Sequence, residues 1–140
     1  MRLRQVGWSI DPGGWSVAND PECLTVCPPA NDAALQISST WKTADKVRPS
    51  EVADMAQQTA NRFGKSPSPA TCGTFVGLTL EYADGGHFWR RWWVANGQRL
   101  LFVTYNATAG EPDEHRQEVD RILSTLVTET NESEGGAAER

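Results

Sequence analysis

The segment CGTFVGLTLEYADGGHFWRRWWVANGQRLLFVTYN, Cys72 to Asn106, restricts the fold more than any other part of this chain. It contains three apolar-rich runs of strand length, separated by Gly85-Gly86 and Asn96-Gly97, dipeptides whose tolerance of positive φ suits two-residue hairpin turns. Side chains alternate between the faces of a strand, so tight turns decide which residues share a side. A Gly85-Gly86 loop sets Tyr82 opposite Trp89 and Glu81 opposite Arg90. An Asn96-Gly97 loop sets Trp93 opposite Leu100 and Arg91 opposite Phe102. A first loop at Asp84-Gly85 would slide the partners without changing the parity. One face then holds Val76, Leu78, Leu80, Tyr82, Trp89, Arg91, Trp93, Leu100 and Phe102, a core composition. The other holds Phe75, Thr79, Glu81, Phe88, Arg90, Trp92, Val94, Arg99, Leu101, Val103 and Tyr105, a mixed one. Leu100 to Val103 is apolar on both faces, the pattern of a strand covered on both sides. The expectation is a helix on each face, with the mainly apolar face better packed. Gly73 and Gly77 are expected to leave room above the mixed face, and with it an exposed amphipathic strip.

The flanking sequence supplies the covers. VGWSI, WSVA, CLTVC and ALQISSTWK are short β-rich pieces divided by DPGG, NDPE and PPAND, which predicts three or four meandering strands, with Leu35, Ile37 and Trp41 inward. In RPSEVADMAQQTANRFG the residues Val52, Met55, Ala56, Thr59, Ala60 and Phe63 recur at helical spacing. Ser50 is placed to cap this helix and Gly64 to end it. KSPSPA reads as a connection. A second helix starts near Pro112 and aligns Val119, Ile122, Leu123 and Leu126. The reading is one α+β domain over 1–127, an antiparallel sheet of about six strands flanked by two helices in an α/β/α sandwich, with 128–140 as a disordered acidic tail.

Charge and composition narrow the function. The net charge is −5, of which Glu129, Glu132, Glu134 and Glu139 against Arg140 account for −3, leaving a nearly balanced body. No basic face is available to neutralise phosphates, so a nucleic-acid partner is not expected. Apolar runs are too short to cross a bilayer as a helix and no signal-peptide core follows the start, so no membrane partner and a cytoplasmic location are expected. A secreted chain with its leader removed is the alternative. Three cysteines, an odd number, fit a reducing compartment. Cys23 and Cys27 on one strand would stand about 13 Å apart, beyond disulfide reach. Zinc on Cys23, Cys27, Cys72 and a histidine lacks a C-x2-C knuckle, so no metal is expected. The sequences N-A-T at Asn106 and N-E-S at Asn131 match the glycosylation pattern by composition only.

No phosphate loop, dinucleotide fingerprint or metal-binding helix motif is present, and no cofactor is expected. His87 and His115 stand outside any motif with a nucleophile. A Cys72–His87 pair is conceivable, but a thiol on an apolar strand is normally inert. Glu81 is explained by Arg90 across the strand pair, and Arg91 needs an acidic partner or an exit past the sheet edge. Trp89 and Trp93 read as core.

The order of elements, and the phrases SIDPGGW before a β meander, ALQIS before a helix and FVGLTLEYADGGHFWRRWWVANGQRLLFVTYN before a last helix, resemble the Mog/PsbP-like fold. That group includes the extrinsic PsbP subunit of photosystem II, the Ran-binding Mog proteins and small bacterial DcrB-like domains. The resemblance spans about Gln5 to Val127. It implies an antiparallel sheet between helices and protein binding rather than catalysis, and it carries over no functional residue.

The sequence therefore predicts a non-enzymatic protein-binding domain with an unidentified protein partner, possible versions being an immunity or chaperone-like role toward a basic target. Its contact is placed on the mixed face, at Phe88, Arg90, Trp92, Arg99 and Tyr105 with Glu81, a composition typical of interface hot spots. The alternative is a small-ligand carrier or enzyme with a pocket between the mixed face and its helix, His87 and Glu81 at the rim.

Overall fold

Hairpin chemistry dominates the computed structural model, which describes residues 2–108 and 115–129. The elements in chain order are β1 (Leu3–Gln5), β2 (Trp8–Ile10), β3 (Ser16–Asn19), β4 (Leu24–Cys27), β5 (Ala33–Trp41), α1 (Pro49–Phe63), β6 (Ser68–Cys72), β7 (Phe75–Asp84), β8 (His87–Asn96), β9 (Arg99–Thr108), α2 (Arg116–Ser124) and β10 (Val127–Thr128). They form a seven-stranded sheet in the order β3-β4-β5-β9-β8-β7-β6 and a three-stranded sheet in the order β1-β2-β10. Every pairing between neighbours in both is antiparallel. The α+β class and the two helices stand as expected. The count of about six strands becomes seven in the main sheet, with three more from the chain's two ends.

The first hairpin has the register read from sequence, Tyr82 opposite Trp89 and Glu81 opposite Arg90. Gly85 and Gly86 both take positive φ there, 62° and 80°. The second hairpin differs by one loop position: Asn96 pairs with Arg99, so the turn is Gly97-Gln98, and Trp93 faces Phe102 while Arg91 faces Thr104. Only Gly97 of that pair has positive φ, which a type II′ turn needs at its first central residue, whereas Asn-Gly in a type I′ turn needs it twice. The register moves by two residues, so the face assignment survives.

KSPSPA is not only a connection. Ser68–Cys72 is a strand paired with β7, Cys72 opposite Phe75. The chain reverses at Gly73-Thr74, where Gly73 has φ +63° and the Thr74 amide donates to the Leu126 carbonyl at 2.9 Å. Helix α1 opens with Pro49 in its first turn, after Arg48 rather than at Ser50. Glu51 caps it instead, its Oε1 accepting from the Arg48 amide at 2.8 Å. Gly64 closes it in the left-handed region, as read.

The two faces are covered in the opposite sense to the one expected. Helix α1 lies on Leu80, Tyr82, Trp93, Ala95 and Leu100 through Val52, Ala56 and Ala60, while Leu78, Trp89 and Phe102 stay only partly buried. The mixed face carries the larger core: Phe75, Trp92, Val94, Leu101, Val103 and Tyr105 pack against Val119, Ile122, Leu123 and Leu126 and against Trp8, Ile10 and Trp15. The cover missing from the sequence reading is the small sheet, which brings β1, β2 and β10 over that face beside α2. Val127 and Thr128 are β10, and the Glu129 amide donates to the Gly7 carbonyl at 2.9 Å. Thr128 and Glu129, read as tail, are thus held in the fold. Pro112 and residues 130–140 lie outside the described residues.

Candidate functional site

The six residues proposed as a contact strip do share one face, and that face is the interior. Trp92 is 4% exposed, Arg90 6%, Arg99 8% and Tyr105 fully buried; Phe88 is half-buried and only Glu81 is exposed. An exposed strip over Phe88, Arg90, Trp92 and Tyr105 is therefore corrected. Its two glycines do not open space above the sheet. A Cβ on Gly73 would stand 1.8 Å from the Leu126 carbonyl oxygen, and one on Gly77 1.9 Å from that of Trp93, so both admit backbone, not ligand.

Arg90 and Glu81 belong to a clamp that ties α2 to the sheet. Arg90 Nη2 donates to Asp120 Oδ1 at 2.9 Å and its Nε lies 3.5 Å from Glu81 Oε2. Both oxygens of Glu81 accept from Arg116 at 2.9 Å, a bidentate pairing. The Arg90 guanidinium also lies 4.6 Å from the Trp92 ring centroid. With α2 thus drawn down, Trp92 has no route to solvent. Arg91, half-buried, has no acidic partner among the described residues: its Nε donates to the Tyr82 hydroxyl at 2.6 Å and its guanidinium lies 5.6 Å from the Trp89 ring centroid.

The pairings considered for chemistry do not assemble. Cys72 pairs with Phe75 at one end of β7 and His87 with Asp84 at the other, about 30 Å apart at ~3.3 Å per residue. Burial pushes the Cys72 thiol up to about 12, which keeps it protonated. His87 is exposed, its Nδ1 3.2 Å from the Gly85 carbonyl. His115 Nε2 sits 3.0 Å from Asp32 Oδ1, with its ring edge-on to Trp15. Among the described residues no three His, Cys, Asp or Glu side chains converge as metal ligands would.

Two hollows stand out. One of about 660 Å³ opens between the start of α1 and β7–β8, lined chiefly by Val47, Pro49, Val52, Ala53, Val76 and Leu78. It lies on the α1 side, not between the mixed face and α2, and His87 and Glu81 do not border it. The other, about 450 Å³, lies where the β1–β2 turn, the β3–β4 turn and the end of β5 meet, bordered by Val6, Trp8, Asp20, Glu22, Ser38 and Ser39.

Beside that second hollow the cover of the mixed face runs out. Trp41, the last residue of β5, was expected inward by alternation with Leu35 and Ile37; it is on their face, yet 52% exposed. Val6, in the β1–β2 turn, is 74% exposed. Arg99 stands opposite Trp41 in register, with its guanidinium 4.7 Å from the indole centroid, and its Nη1 is 3.4 Å from Ser39 Oγ. Trp41 and Val6 had no signal as contact residues in the sequence, because periodicity gives the side of a strand and not where the layer above it stops.

No family model matches the chain, and no curated protein is similar to it in sequence. Solved structures are similar to it in fold. A protein of Bacteroides thetaiotaomicron VPI-5482 superposes with a TM-score of 0.64 at 13% identity over 90% of this chain, which spans 46% of that protein's length. LpqN, involved in cell envelope biogenesis of Mycobacterium tuberculosis, gives 0.61 at 15% identity, covering 91% of this chain and 89% of LpqN. The cyanobacterial PsbP of Synechocystis sp. PCC 6803 gives 0.45 at 12% identity, over 92% of each chain. At such identities the likeness is one of fold alone.

Proposed function

We propose that this chain is a non-enzymatic protein-binding domain whose contact surface is formed by Trp41 at the end of β5 and Val6 in the β1–β2 turn, with Arg99 behind them. The observation that carries the reading is Trp41, an indole 52% exposed at the edge of a mostly buried face and stacked on a guanidinium. Exposed tryptophan beside arginine is the composition of binding hot spots, and a stacked side chain loses little freedom when a partner covers it. A net charge of −5 suits a basic target, as an immunity or chaperone-like role would require. A photo-crosslinking residue at Val6, with a control at Gln58 on the exposed side of α1, tests this in lysate of the source organism. A discrete adduct from position 6, competed by wild-type protein and not by Trp41→Ser, supports the reading. The same adducts from both positions, or equal competition by Trp41→Ser, overturn it.

The 660 Å³ hollow favours a second reading, a carrier for a small neutral ligand, because no charged side chain lines it and its volume falls in the range of ligand pockets. Native mass spectrometry of the protein purified from its own host would show a bound mass that Ala53→Phe, filling an exposed position of that lining, removes. Wild-type protein without a bound mass overturns this reading.

A further inference from the structure

The seven-stranded sheet ends in two edges, β6 and β3, and the two are built differently. In β6 the turn at Gly73-Thr74 is closed by Cys72 and Phe75, which sets the main-chain groups of Pro69 and Thr71 outward. Pro69 has no amide proton to offer, so that edge cannot carry a regular ladder. Edge β3 has no such guard. Ser16, Val17, Ala18 and Asn19 are all exposed, none is charged or proline, and their register with β4 runs without a bulge, although edges are usually blunted by one of these devices. At the β3–β4 turn Asp20 and Cys23 exchange both backbone hydrogen bonds, at 3.0 and 3.3 Å. Exchanging pairs recur at every second residue of an antiparallel ladder, so Ser16 and Ala18 are bonded to β4 while Val17 and Asn19 turn amide and carbonyl toward the open edge.

We propose that two copies of this chain pair along β3, antiparallel about a two-fold axis at Ala18, which joins two seven-stranded sheets into one. The groups available on the edge choose the register. With Val17 opposite Asn19 of the second copy, both outward amides and both outward carbonyls of each strand are bonded. A shift of two residues one way would set Asn19 against Trp15, whose amide already donates to the Pro12 carbonyl at 3.2 Å. A shift the other way would set Val17 against Pro21, which has no amide proton. The centre therefore falls at Ala18, a pair that exchanges no hydrogen bonds and whose Cα atoms approach to about 4.5 Å, where only methyl groups meet. Ser16 comes to lie opposite Asp20, a hydroxyl facing a carboxylate on the same side of the sheet. The antiparallel sense also keeps the acidic Asp20–Glu22 turns of the two copies at opposite ends. Val17, 39% exposed, gains cover from the second copy. A four-residue edge is short, which makes the pairing weak and reversible.

Sedimentation equilibrium of the full chain at pH 7 in reducing buffer tests this. The expected result is a reversible monomer–dimer equilibrium, mostly monomer at about 10 µM and with dimer plainly populated at about 1 mM, the weak end of the range for specific interfaces. Ala18→Lys sets two like charges directly opposite each other at an exposed position; it should abolish the dimer and leave the Tm of the monomer unchanged. Cross-linking then checks the register. In a background of Cys23→Ser and Cys27→Ser, Ala18→Cys should oxidise to a disulfide dimer far faster than Val17→Cys, because only at position 18 do two copies of one residue stand opposite each other within disulfide reach. Ser68→Cys, on the β6 edge, should stay monomeric. Wild-type chain that remains monomeric at the highest concentration, Ala18→Lys that still dimerises, or a disulfide that forms as readily at position 17 or 68 overturns the proposal. So does a chain that stays monomeric and pairs β3 with an unrelated peptide instead.

Discussion

The substitution Gly73→Ala tests whether the segment after α2 is seated on the β6–β7 turn. Two costs arise there. Gly73 has φ +63°, a region that costs a residue with a Cβ about 1 to 2 kcal/mol. The new methyl would also lie 1.8 Å from the Leu126 carbonyl oxygen and 2.8 Å from its carbon, where backbone cannot yield as a side-chain tip does. To relieve it, Leu126 must retreat by more than an ångström. That breaks the 2.9 Å hydrogen bond from the Thr74 amide, worth about 0.5 to 1.5 kcal/mol, and loosens a leucine that is fully buried. Together these give a loss of about 3 to 5 kcal/mol. For a domain of this size that is a fall in Tm of roughly 10 to 20 °C.

Urea unfolding followed by tryptophan fluorescence measures it. Gly14→Ala is the control, since Gly14 has open space around it and no positive φ; its effect should stay within about 0.5 kcal/mol. Gly73→Asn separates the two costs, because asparagine tolerates the left-handed region but still carries a Cβ. It should be nearly as damaging as alanine. A Gly73→Asn variant close to wild type would refute the steric argument, and with it the seating of Leu126.

Three further outcomes follow from the same geometry. With a thiol reagent at pH 8, Cys23 and Cys27, both half-buried, should react in the native protein, and Cys72, raised to about 12 by burial, only after unfolding. Hydrogen bonds from Lys42 and from the Arg48 amide hold the Glu51 carboxyl below the usual carboxylate range. Its support for the start of α1 is therefore present above the unfolded carboxylate value and lost as pH falls through the lowered one, so Glu51→Gln should lower stability at neutral pH, leave it nearly unchanged below the lowered value, and thereby flatten the acid limb of the stability–pH curve. Iodide should quench the Trp41 contribution to fluorescence and not that of Trp92, so Trp41→Phe removes quenchable signal; if Trp92→Phe does so instead, the buried placement of the mixed face is wrong.

What the sequence carried about the fold was parity and class. Gly85-Gly86 and the Asn96-Gly97-Gln98 turn sorted three strands into two faces correctly, even though the second register moved by two residues. Helix α1 was legible from its spacing and its closing Gly64. The strand at Ser68–Cys72 was not, since Pro67 and Pro69 read as breakers; as the edge of the sheet, β6 can hold a proline whose missing amide proton has no partner strand to serve.

The candidate site was misplaced for a single reason. A face with arginine, glutamate and threonine among its aromatics looks wet, and the glycines beneath looked like room for a ligand. What makes such a face an interior is a cover assembled from residues more than a hundred positions apart, β2 bonded to both β1 and β10, and no local pattern announces that pairing. Once that cover is in place the polar residues divide by what they meet. Arg90 meets Asp120 and Glu81 and so serves the fold, since removing both partners would strand a charge in the interior. Arg99 meets, among the described residues, an indole, a hydroxyl and a glycine.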